Sequence, residues 1–171
     1  VTDKTNLFNY PANPQIIAQD MPLIKNVKAL DAVTMTEPEK GVYVYDFGQN
    51  IAGIPYIKAS AKAQTKMTVQ YGEIINTEDL INKDGAVGTV YTKNLINAKA
   101  TDTYVFSGDG TEIFEPKFTY HGFRYLEITG LSEPIPAENV KAMLLMTDME
   151  ETGSFECSDE FVTKLYLNAL W

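Results

Sequence analysis

The feature that most constrains the fold is a series of short runs in which apolar and polar side chains alternate. The cleanest run is Lys66–Tyr71, where Met67, Val69 and Tyr71 fall on one side and polar residues on the other. Successive side chains of a β-strand point to opposite faces, so this period of two predicts a strand with one buried face. Comparable runs recur with turn residues between them, and no helical segments alternate with them. This arrangement predicts an all-β fold.

Further strands are predicted wherever β-branched and aromatic residues cluster. They cover Lys28–Met35, Val42–Phe47, Ile54–Ala59, Thr101–Phe106, Thr111–Glu115, Phe123–Thr129, Val140–Thr147 and Gly153–Cys157. We expect Gly48–Gly53 to be a turn between two of these strands, and Ser107–Gly110 to be the turn of a hairpin. About seven to nine strands at this spacing predict an antiparallel two-sheet sandwich of jelly-roll type.

Residues 73–100 break this rhythm. They hold isolated apolar side chains, of which Tyr91 has no evident place in a core. A loop of this length in a compact domain is either functional or packed against a neighbour. Asn76, Asn82 and Asp84 could offer oxygen ligands to calcium, but the alternating ligand pattern of a calcium loop is missing. We therefore predict no metal site.

The charge balance excludes two classes of partner. The chain has 171 residues, of which 23 are acidic and 14 are Lys or Arg, so its formal net charge is −9. Nucleic acids and anionic membrane surfaces need clustered Lys and Arg, which are scattered here, so we predict that neither is bound. No apolar run approaches the roughly 20 residues that cross a bilayer, and no signal peptide opens the chain.

The single cysteine, Cys157, excludes an internal disulfide and any metal site with several cysteines. It lies in an alternating run beside Phe155, which predicts a buried and unreactive thiol. No other pattern in the chain requires a cofactor, so none is predicted.

Catalytic machinery is not evident either. Glycoside hydrolysis usually needs two carboxylates about 5 to 10 Å apart, and nothing in the sequence pairs any two of the 23 acidic residues. A Ser–His–Asp triad would need a nucleophile on a constrained turn, and the Gly-x-Ser-x-Gly pattern is absent. One histidine and one cysteine are too few for a zinc site.

The only histidine, His121, lies between Tyr120 and Arg124 at the start of a predicted strand, and two interpretations stay open. These side chains could fasten a corner of the fold, with Gly122 supplying a backbone conformation that other residues avoid. They could instead contact a sugar or a neighbouring domain, together with Tyr91. In either case we expect Arg124 to pair with an acidic side chain.

The last residues predict a helix that begins at Ser158. Ser158 is a suitable N-cap, and the acidic residues that follow it complement the positive end of the helix dipole. Apolar side chains then recur at helical spacing, among them Phe161 and Leu165, and the chain stops on Leu170 and Trp171 without a C-cap. We expect this helix to continue into a longer protein, because a natural terminus rarely exposes Leu and Trp together.

Five segments match one glycoside hydrolase family in order and spacing. They are Gly41–Gly53, Tyr91–Leu95, Ala100–Tyr104, Phe114–Tyr125 and Glu151–Ser158. In these segments the chain, from about residue 20 onward, resembles the bacterial α-L-rhamnosidases of glycoside hydrolase family 78. The family commonly has a large residue after Ile-Ala-Gly, where this chain has Ile54 and Pro55, and the proline indicates an edge strand or a distorted strand start.

This resemblance implies a place in a larger enzyme. In that family these segments belong to a concanavalin-like β-sandwich that precedes a catalytic (α/α)6 barrel, and the catalytic acid and base lie in the barrel. None of the barrel's acidic motifs occurs here, so no catalytic residue is predicted in this chain. We accordingly expect a connector and edge strand at 1–37, a β-sandwich at 38–157, and the start of the barrel's entry helix at 158–171.

Two functional hypotheses follow. In the first, the chain is a non-catalytic domain that supports and borders the barrel of an inverting α-L-rhamnosidase, using Phe161, Leu165, Leu170 and Trp171 as interdomain contacts. In the second, it is an independent carbohydrate-binding module that binds a rhamnose-containing glycan weakly. The resemblance implies a bacterial enzyme of carbohydrate metabolism, and a periplasmic or secreted location is the corresponding expectation.

Overall fold

Eight β-strands, two short 3-10 turns and one α-helix make up residues 15–171, the part of the chain that this computed structural model describes. The strands are β1 (Ile24–Asp31), β2 (Thr34–Glu39), β3 (Val42–Ala59), β4 (Lys66–Gly72), β5 (Thr101–Val105), β6 (Glu112–Phe114), β7 (His121–Thr129) and β8 (Val140–Thr147), and the helix is α1 (Glu160–Leu170). The 3-10 turns are Lys93–Leu95 and Ala137–Asn139. All strand pairs are antiparallel, which confirms the predicted all-β class with a short C-terminal helix.

Strand β3 is the centre of the topology. Its first part pairs with β2 on one edge and β7 on the other, and its last part pairs with β8 and β6. Strands β4 and β5 extend the sheet beyond β7, and β1 extends it beyond β8, in the order β1-β8-β3-β7-β4-β5. The first part of β3 thus lies in one layer with β2, β7, β4 and β5, and its last part lies in the other layer with β8, β1 and β6. Because this single strand of 18 residues runs through both layers, the sandwich is hydrogen-bonded into one continuous sheet.

The core lies between these two layers. Met67, Val69 and Tyr71 of β4 are fully buried in the same cluster as Val140 and Ala142 of β8. Because β4 and β8 are not neighbours in the sheet, the sheet must fold over on itself to bring their apolar faces together. Each large apolar side chain buried in this way contributes roughly 1.5 to 3 kcal/mol.

The predicted turn at Gly48–Gly53 is wrong, because β3 continues through it. Against β7 the register passes from Asp46 to Ile51 while the partner advances only from Tyr125 to Phe123, which is a β-bulge. Gly48 accommodates the bulge with a φ of +73°. Residues 48–53 contain the glycines and amides of a turn, but pairing with β7 resumes at Ile51 and pairing with β8 begins at Gly53, so the chain continues as one strand.

Pro55 lies inside β3, which is neither an edge strand nor starts near this residue, and it is fully buried. Both alternatives expected from it, an edge strand or a distorted strand start, are therefore wrong. It pairs with Ala142 of β8 on one side. On the other side it falls between Gly53, where pairing with β7 ends, and Ile57, where pairing with β6 begins. A proline is tolerated there because that edge of the strand has no partner.

The hairpin predicted around Ser107–Gly110 does not form. Strand β6 pairs with β3 and not with β5, so the chain crosses between layers at this turn. Glu112 holds the crossing, since its carboxylate accepts hydrogen bonds from the backbone N–H groups of Ser107 and Gly108 at 3.1 and 3.0 Å. These N–H bonds lower the pKa of Glu112, although burial opposes them.

Both ends of the described chain differ in part from the prediction. The strand expected at Lys28–Met35 is two strands, β1 and β2, and β1 is an edge strand of the sheet. The first fourteen residues of the predicted connector lie outside the described residues. Gly153–Cys157 is not a strand, and Cys157 is exposed and not buried as expected. The helix N-cap is Asp159, one residue later than predicted, since its carboxylate accepts the N–H groups of Phe161 and Val162.

Gly53 allows a test of this topology, because it pairs with β7 and β8 at once. A Cβ atom placed on it would lie 2.2 Å from the backbone oxygen of Met143, whereas one on Gly153 would meet nothing within 4 Å. We expect Gly53→Ala to lower the free energy of unfolding by about 1 to 3 kcal/mol and Gly153→Ala to change it by less than about 0.5 kcal/mol. Urea unfolding measures both, and equal stabilities of the two variants would contradict the close approach of β3 and β8.

Candidate functional site

The polar side chains that the sequence singles out form three groups around β7. The first is an ion pair across the β3 bulge. Arg124 Nε and Nη2 donate to the two carboxylate oxygens of Asp46 at 2.7 and 2.8 Å, which confirms that Arg124 pairs with an acidic side chain. Asp46 Oδ1 also accepts the N–H of Gly48 at 2.6 Å. The guanidinium lies 5.0 Å from the centre of the Tyr125 ring.

This ion pair shifts the pKa of both partners. The hydrogen bond from Arg124 is the main reason that the pKa of Asp46 is below its usual value, and burial opposes it in part. The same bond raises the pKa of Arg124. Both side chains are partly exposed, but every oxygen of the carboxylate is occupied by a donor. The pair therefore fixes the bulge and leaves no free carboxylate for proton transfer.

The second group surrounds His121 at the start of β7. Its ring stacks on Tyr71, with ring centres 4.0 Å apart. Asp102 Oδ2 accepts the hydroxyl of Tyr71 at 2.7 Å and that of Thr119 at 3.4 Å. His121 Nε2 lies 3.4 Å from the same oxygen but in a geometry that forms no hydrogen bond. Burial and the neighbouring Asp102 carboxylate raise the pKa of Tyr71, so this hydroxyl stays protonated.

This second group resembles a corner fastening more than a reactive site. The sequence predicted for Gly122 a backbone conformation that other residues avoid. This prediction is wrong, because Gly122 has no positive φ. A Cβ at Gly122 would instead come 3.6 Å from Glu73 Oε1, which accepts a hydrogen bond from Asn50 at 3.2 Å. Within residues 15–171 no group of three His, Cys, Asp or Glu side chains could hold a metal ion.

The third group lies in the long loop after β4. Asn76 is fully buried, and its amide donates to Thr89 Oγ1 at 3.0 Å while its oxygen accepts the N–H of Asp84 at 3.2 Å. Asp84 Oδ2 accepts the N–H and the hydroxyl of Thr92, both at 2.7 Å. Burial raises the pKa of Asp84, but these hydrogen bonds outweigh it and the net pKa is lowered. The side-chain oxygens of Asn76 and Asp84, two of the three residues considered as calcium ligands, are thus used to close the loop on itself.

Glu127 attaches this loop to the sheet. The carboxylate, on the outer side of β7, accepts the N–H of Val90 at 2.8 Å. Burial raises the pKa of Glu127, and the Val90 bond lowers it by less. Tyr91, the next residue, is partly buried and donates its own N–H to Ile74 at 3.1 Å. The loop is therefore packed against its own domain, whereas the two roles expected for it were a functional one or packing against a neighbour.

The candidate contact residues do not converge on one pocket. His121 and Arg124 lie on β7 but contact different partners, Asp102 and Asp46. Tyr120 is largely exposed, as is the neighbouring Phe118, which the sequence does not mark as a site residue. The sequence also did not identify Asp102 and Tyr71 as site residues. Their contact joins β4 to β5 and depends on a register that local sequence does not encode.

The C-terminal helix carries the other candidate residues. None of its side chains is buried, although Phe161, Leu165 and Leu170 are apolar. Leu170 and Trp171 face a groove beside β1 and β8, and Lys28 lies 4.8 Å from the centre of the Trp171 ring. Phe161 and Leu165 do not line that groove. Neither this helix nor any other within residues 15–171 is long and apolar enough to span a membrane.

A family match and two similar proteins assign the chain to the same family. Residues 36–146 match the bacterial alpha-L-rhamnosidase concanavalin-like domain. The chain is 38% identical over 157 residues to an alpha-L-rhamnosidase of Streptomyces avermitilis, covering 92% of this chain and 14% of that protein. It is 38% identical over 162 residues to an alpha-L-rhamnosidase of Formosa agariphila, covering 94% of this chain and 16% of that protein.

Solved structures agree. The Streptomyces avermitilis alpha-L-rhamnosidase complexed with L-rhamnose superposes with a TM-score of 0.81 at 38% identity, over 91% of this chain and 14% of that one. The alpha-L-rhamnosidase from Dictyoglumus thermophilum superposes with a TM-score of 0.80 at 36% identity, over 88% of this chain and 16% of that one. The chain thus spans about one-seventh of the length of these relatives.

The Asp46–Arg124 pair gives a pH-dependent prediction. Because the pKa of Asp46 is lowered in the fold, the pair stabilises the protein above the ordinary Asp pKa of about 3.9 and loses its effect as the pH falls below it. Asp46→Asn keeps an acceptor for Gly48 but removes the charge. We expect it to cost about 1 to 2 kcal/mol between pH 5 and 8, and less as the pH approaches 3.

Urea unfolding across this pH range measures the effect. The matched control is Asp31→Asn, which removes the partner of Lys141 in an exposed pair and should cost less than about 0.5 kcal/mol. A cost for Asp46→Asn that is equally small, or independent of pH, would show that the pair does not hold the bulge.

Proposed function

The chain belongs to the family of bacterial α-L-rhamnosidase concanavalin-like domains, and from this membership we propose that it is a non-catalytic domain of a larger α-L-rhamnosidase. In this proposal it supports and borders a catalytic (α/α)6 barrel of the same polypeptide, and the barrel hydrolyses terminal α-L-rhamnosides. The observation that carries the proposal is how small a part of each relative aligns with this chain. Two relatives align with 92% and 94% of this chain, yet the aligned regions are only 14% and 16% of those proteins.

The side chains of the candidate site support a structural role. Asp46, Asp84 and Asp102 each accept two or more hydrogen bonds from groups of the same domain. A general acid or base must have a face open to substrate, as must a nucleophile. These carboxylates are instead used to fix the bulge, the long loop and the start of β7, as a rigid support requires.

The boundaries of the proposed sandwich, residues 38–157, include almost all of the family match at 36–146. Helix α1 (Glu160–Leu170) begins after that match ends. We therefore assign α1 to the junction with the next domain.

The surface of α1 fits that assignment. Phe161 and Leu165 are 76% and 60% exposed and point away from the groove that Leu170 and Trp171 face. A helix that is apolar on more than one side is normally buried on more than one side. The proposed contact of the barrel with this domain is accordingly the outer side of α1, with Phe161 and Leu165 at its centre.

A second candidate function, an independent carbohydrate-binding module, is favoured by one observation. Phe118 and Tyr120 expose their rings next to the polar group around His121, and sugars stack on exposed aromatic rings. Tyr91 and Arg124, by contrast, are held within the domain. Isothermal calorimetry with L-rhamnose separates the two candidates. The support role predicts a dissociation constant above about 1 mM, and tight stoichiometric binding that Tyr120→Ala abolishes would favour the binding module.

The proposal also predicts that this chain alone does not hydrolyse aryl α-L-rhamnosides. The expected rate of release of the aryl group equals that of buffer, because no carboxylate pair is placed around a substrate site. The control is the same preparation with Asp102→Asn, which removes one carboxylate near His121 and should change nothing. Turnover above background that disappears in this variant would overturn the proposed function.

A further inference from the structure

We infer that the groove between α1 and the outer strands β1 and β8 is a second docking site for the domain that follows, and that it binds a segment with an apolar centre and basic flanks. This inference rests on the proposed function and adds a partner chemistry to it. The groove is separate from the outer side of α1 that carries Phe161 and Leu165.

The groove is open and largely apolar. It has a volume of about 1010 Å³. Its apolar lining comes from strands, linker and helix, namely Val27, Met146, Met149, Leu167, Leu170 and Trp171. Met149 and Leu167 are 69% and 50% exposed, so no segment within residues 15–171 fills the space.

The walls of the groove are held in place. Tyr166 of α1 donates its hydroxyl to the backbone oxygen of Gly153 at 3.2 Å and packs against Phe155 at 5.6 Å between ring centres. At the end of the helix, the Lys28 ammonium lies 4.8 Å from the centre of the Trp171 ring. These contacts join α1 to the linker and to β1 but do not bring its apolar side chains onto the sheet. The groove is thus a shaped concavity and not a loose end.

The charges at the rim define the flanks of the occupant. Glu150 and Glu151 line the groove, are exposed, and form no ion pair with the residues that the structure describes. The nearby cations are already engaged, since Lys25 pairs with Asp148 at 2.5 Å and Lys28 covers the Trp171 ring. An acidic rim around an apolar floor complements Lys or Arg on either side of apolar residues.

We assign the occupant to the following domain because of where the groove lies relative to the family match. Its linker and helix, residues 148–171, come after the family match that ends at residue 146, and the aligned regions are only 14% and 16% of the two longer relatives. Most of the length of those relatives lies outside the aligned region. An apolar concavity at this junction is therefore placed to receive a segment of the remainder of such a protein.

A domain exchange tests the inference directly. The 157-residue region of the Streptomyces avermitilis α-L-rhamnosidase that aligns with this chain is replaced by this chain. Hydrogen exchange of the amides at 148–154, which have no regular secondary structure, is then compared between the chimera and the chain alone. We expect exchange to be at least about tenfold slower in the chimera, because a covered linker opens less often.

Variants test whether the slower hydrogen exchange comes from occupation of this groove and not from joining the two domains in general. Met149→Gln and the double variant Glu150→Lys/Glu151→Lys should restore fast exchange in the chimera, and about 0.5 M NaCl should partly do so. Met21→Gln is the matched control, because Met21 is 68% exposed against 69% for Met149 and does not line the groove. It should leave exchange unchanged, and none of the variants should alter the unfolding of the chain alone.

The outcomes distinguish a failure of the groove inference from a failure of the proposed function. An active chimera whose linker exchanges as fast as in the chain alone would overturn the groove and leave the proposed function standing. A chimera that does not fold or hydrolyse rhamnosides would contradict the proposed function, and the inference with it. Slow exchange in the chain alone that depends on its concentration would assign the groove to a second copy of this chain and overturn the inference.

Discussion

The whole structure depends on one strand that belongs to both layers of the sandwich. Strand β3 pairs with β2 and β7 at its start and with β8 and β6 at its end, so every other strand is hydrogen-bonded to it directly or through one or two neighbours. A straight strand of 18 residues could not serve two packed layers. The bulge between Asp46 and Ile51, stabilised by Arg124 and by the positive φ of Gly48, changes its direction. Gly53 then allows β8 to approach closely.

This architecture explains why so many polar residues of a rhamnosidase-family domain have no catalytic task. A sheet that folds over on itself leaves loops to cross between layers, and their backbone groups must be paired when they are buried. Asn76 pairs such groups in the longest loop, which Glu127 attaches to β7, and Glu112 accepts exposed N–H groups at the turn after β5. The side chains that could act as acids or bases in another setting are used here for rigidity. A rigid domain with exposed apolar surface at one junction is suited to support another domain.

The sequence predicted the fold class, five of the eight strands to within two residues, and the acidic partner of Arg124, because these depend on local periodicity and charge. It failed where long-range pairing overrides local preference. Residues 48–53 have turn composition, but pairing with β7 resumes at Ile51 and makes them part of β3. The pairing of β6 with β3 cannot be read from the hairpin-like Ser107–Gly110. Cys157 lies in an alternating run that has no strand to pair with, so it is exposed. The Tyr71–Asp102 contact had no local signal, whereas the apolar residues of α1 were evident from helical spacing alone.

Strand β3 makes both layers one cooperative unit. Native-state hydrogen exchange of this chain in increasing urea tests it most directly, because it gives a free energy of opening for each amide. The slowest amides in Val42–Asp46 and in Gly53–Ala59 should open with the same free energy, equal to that of global unfolding, and should respond to urea with the same slope. If one half of β3 opens at a markedly lower free energy while the other stays closed, the two layers are separate units and the account is wrong.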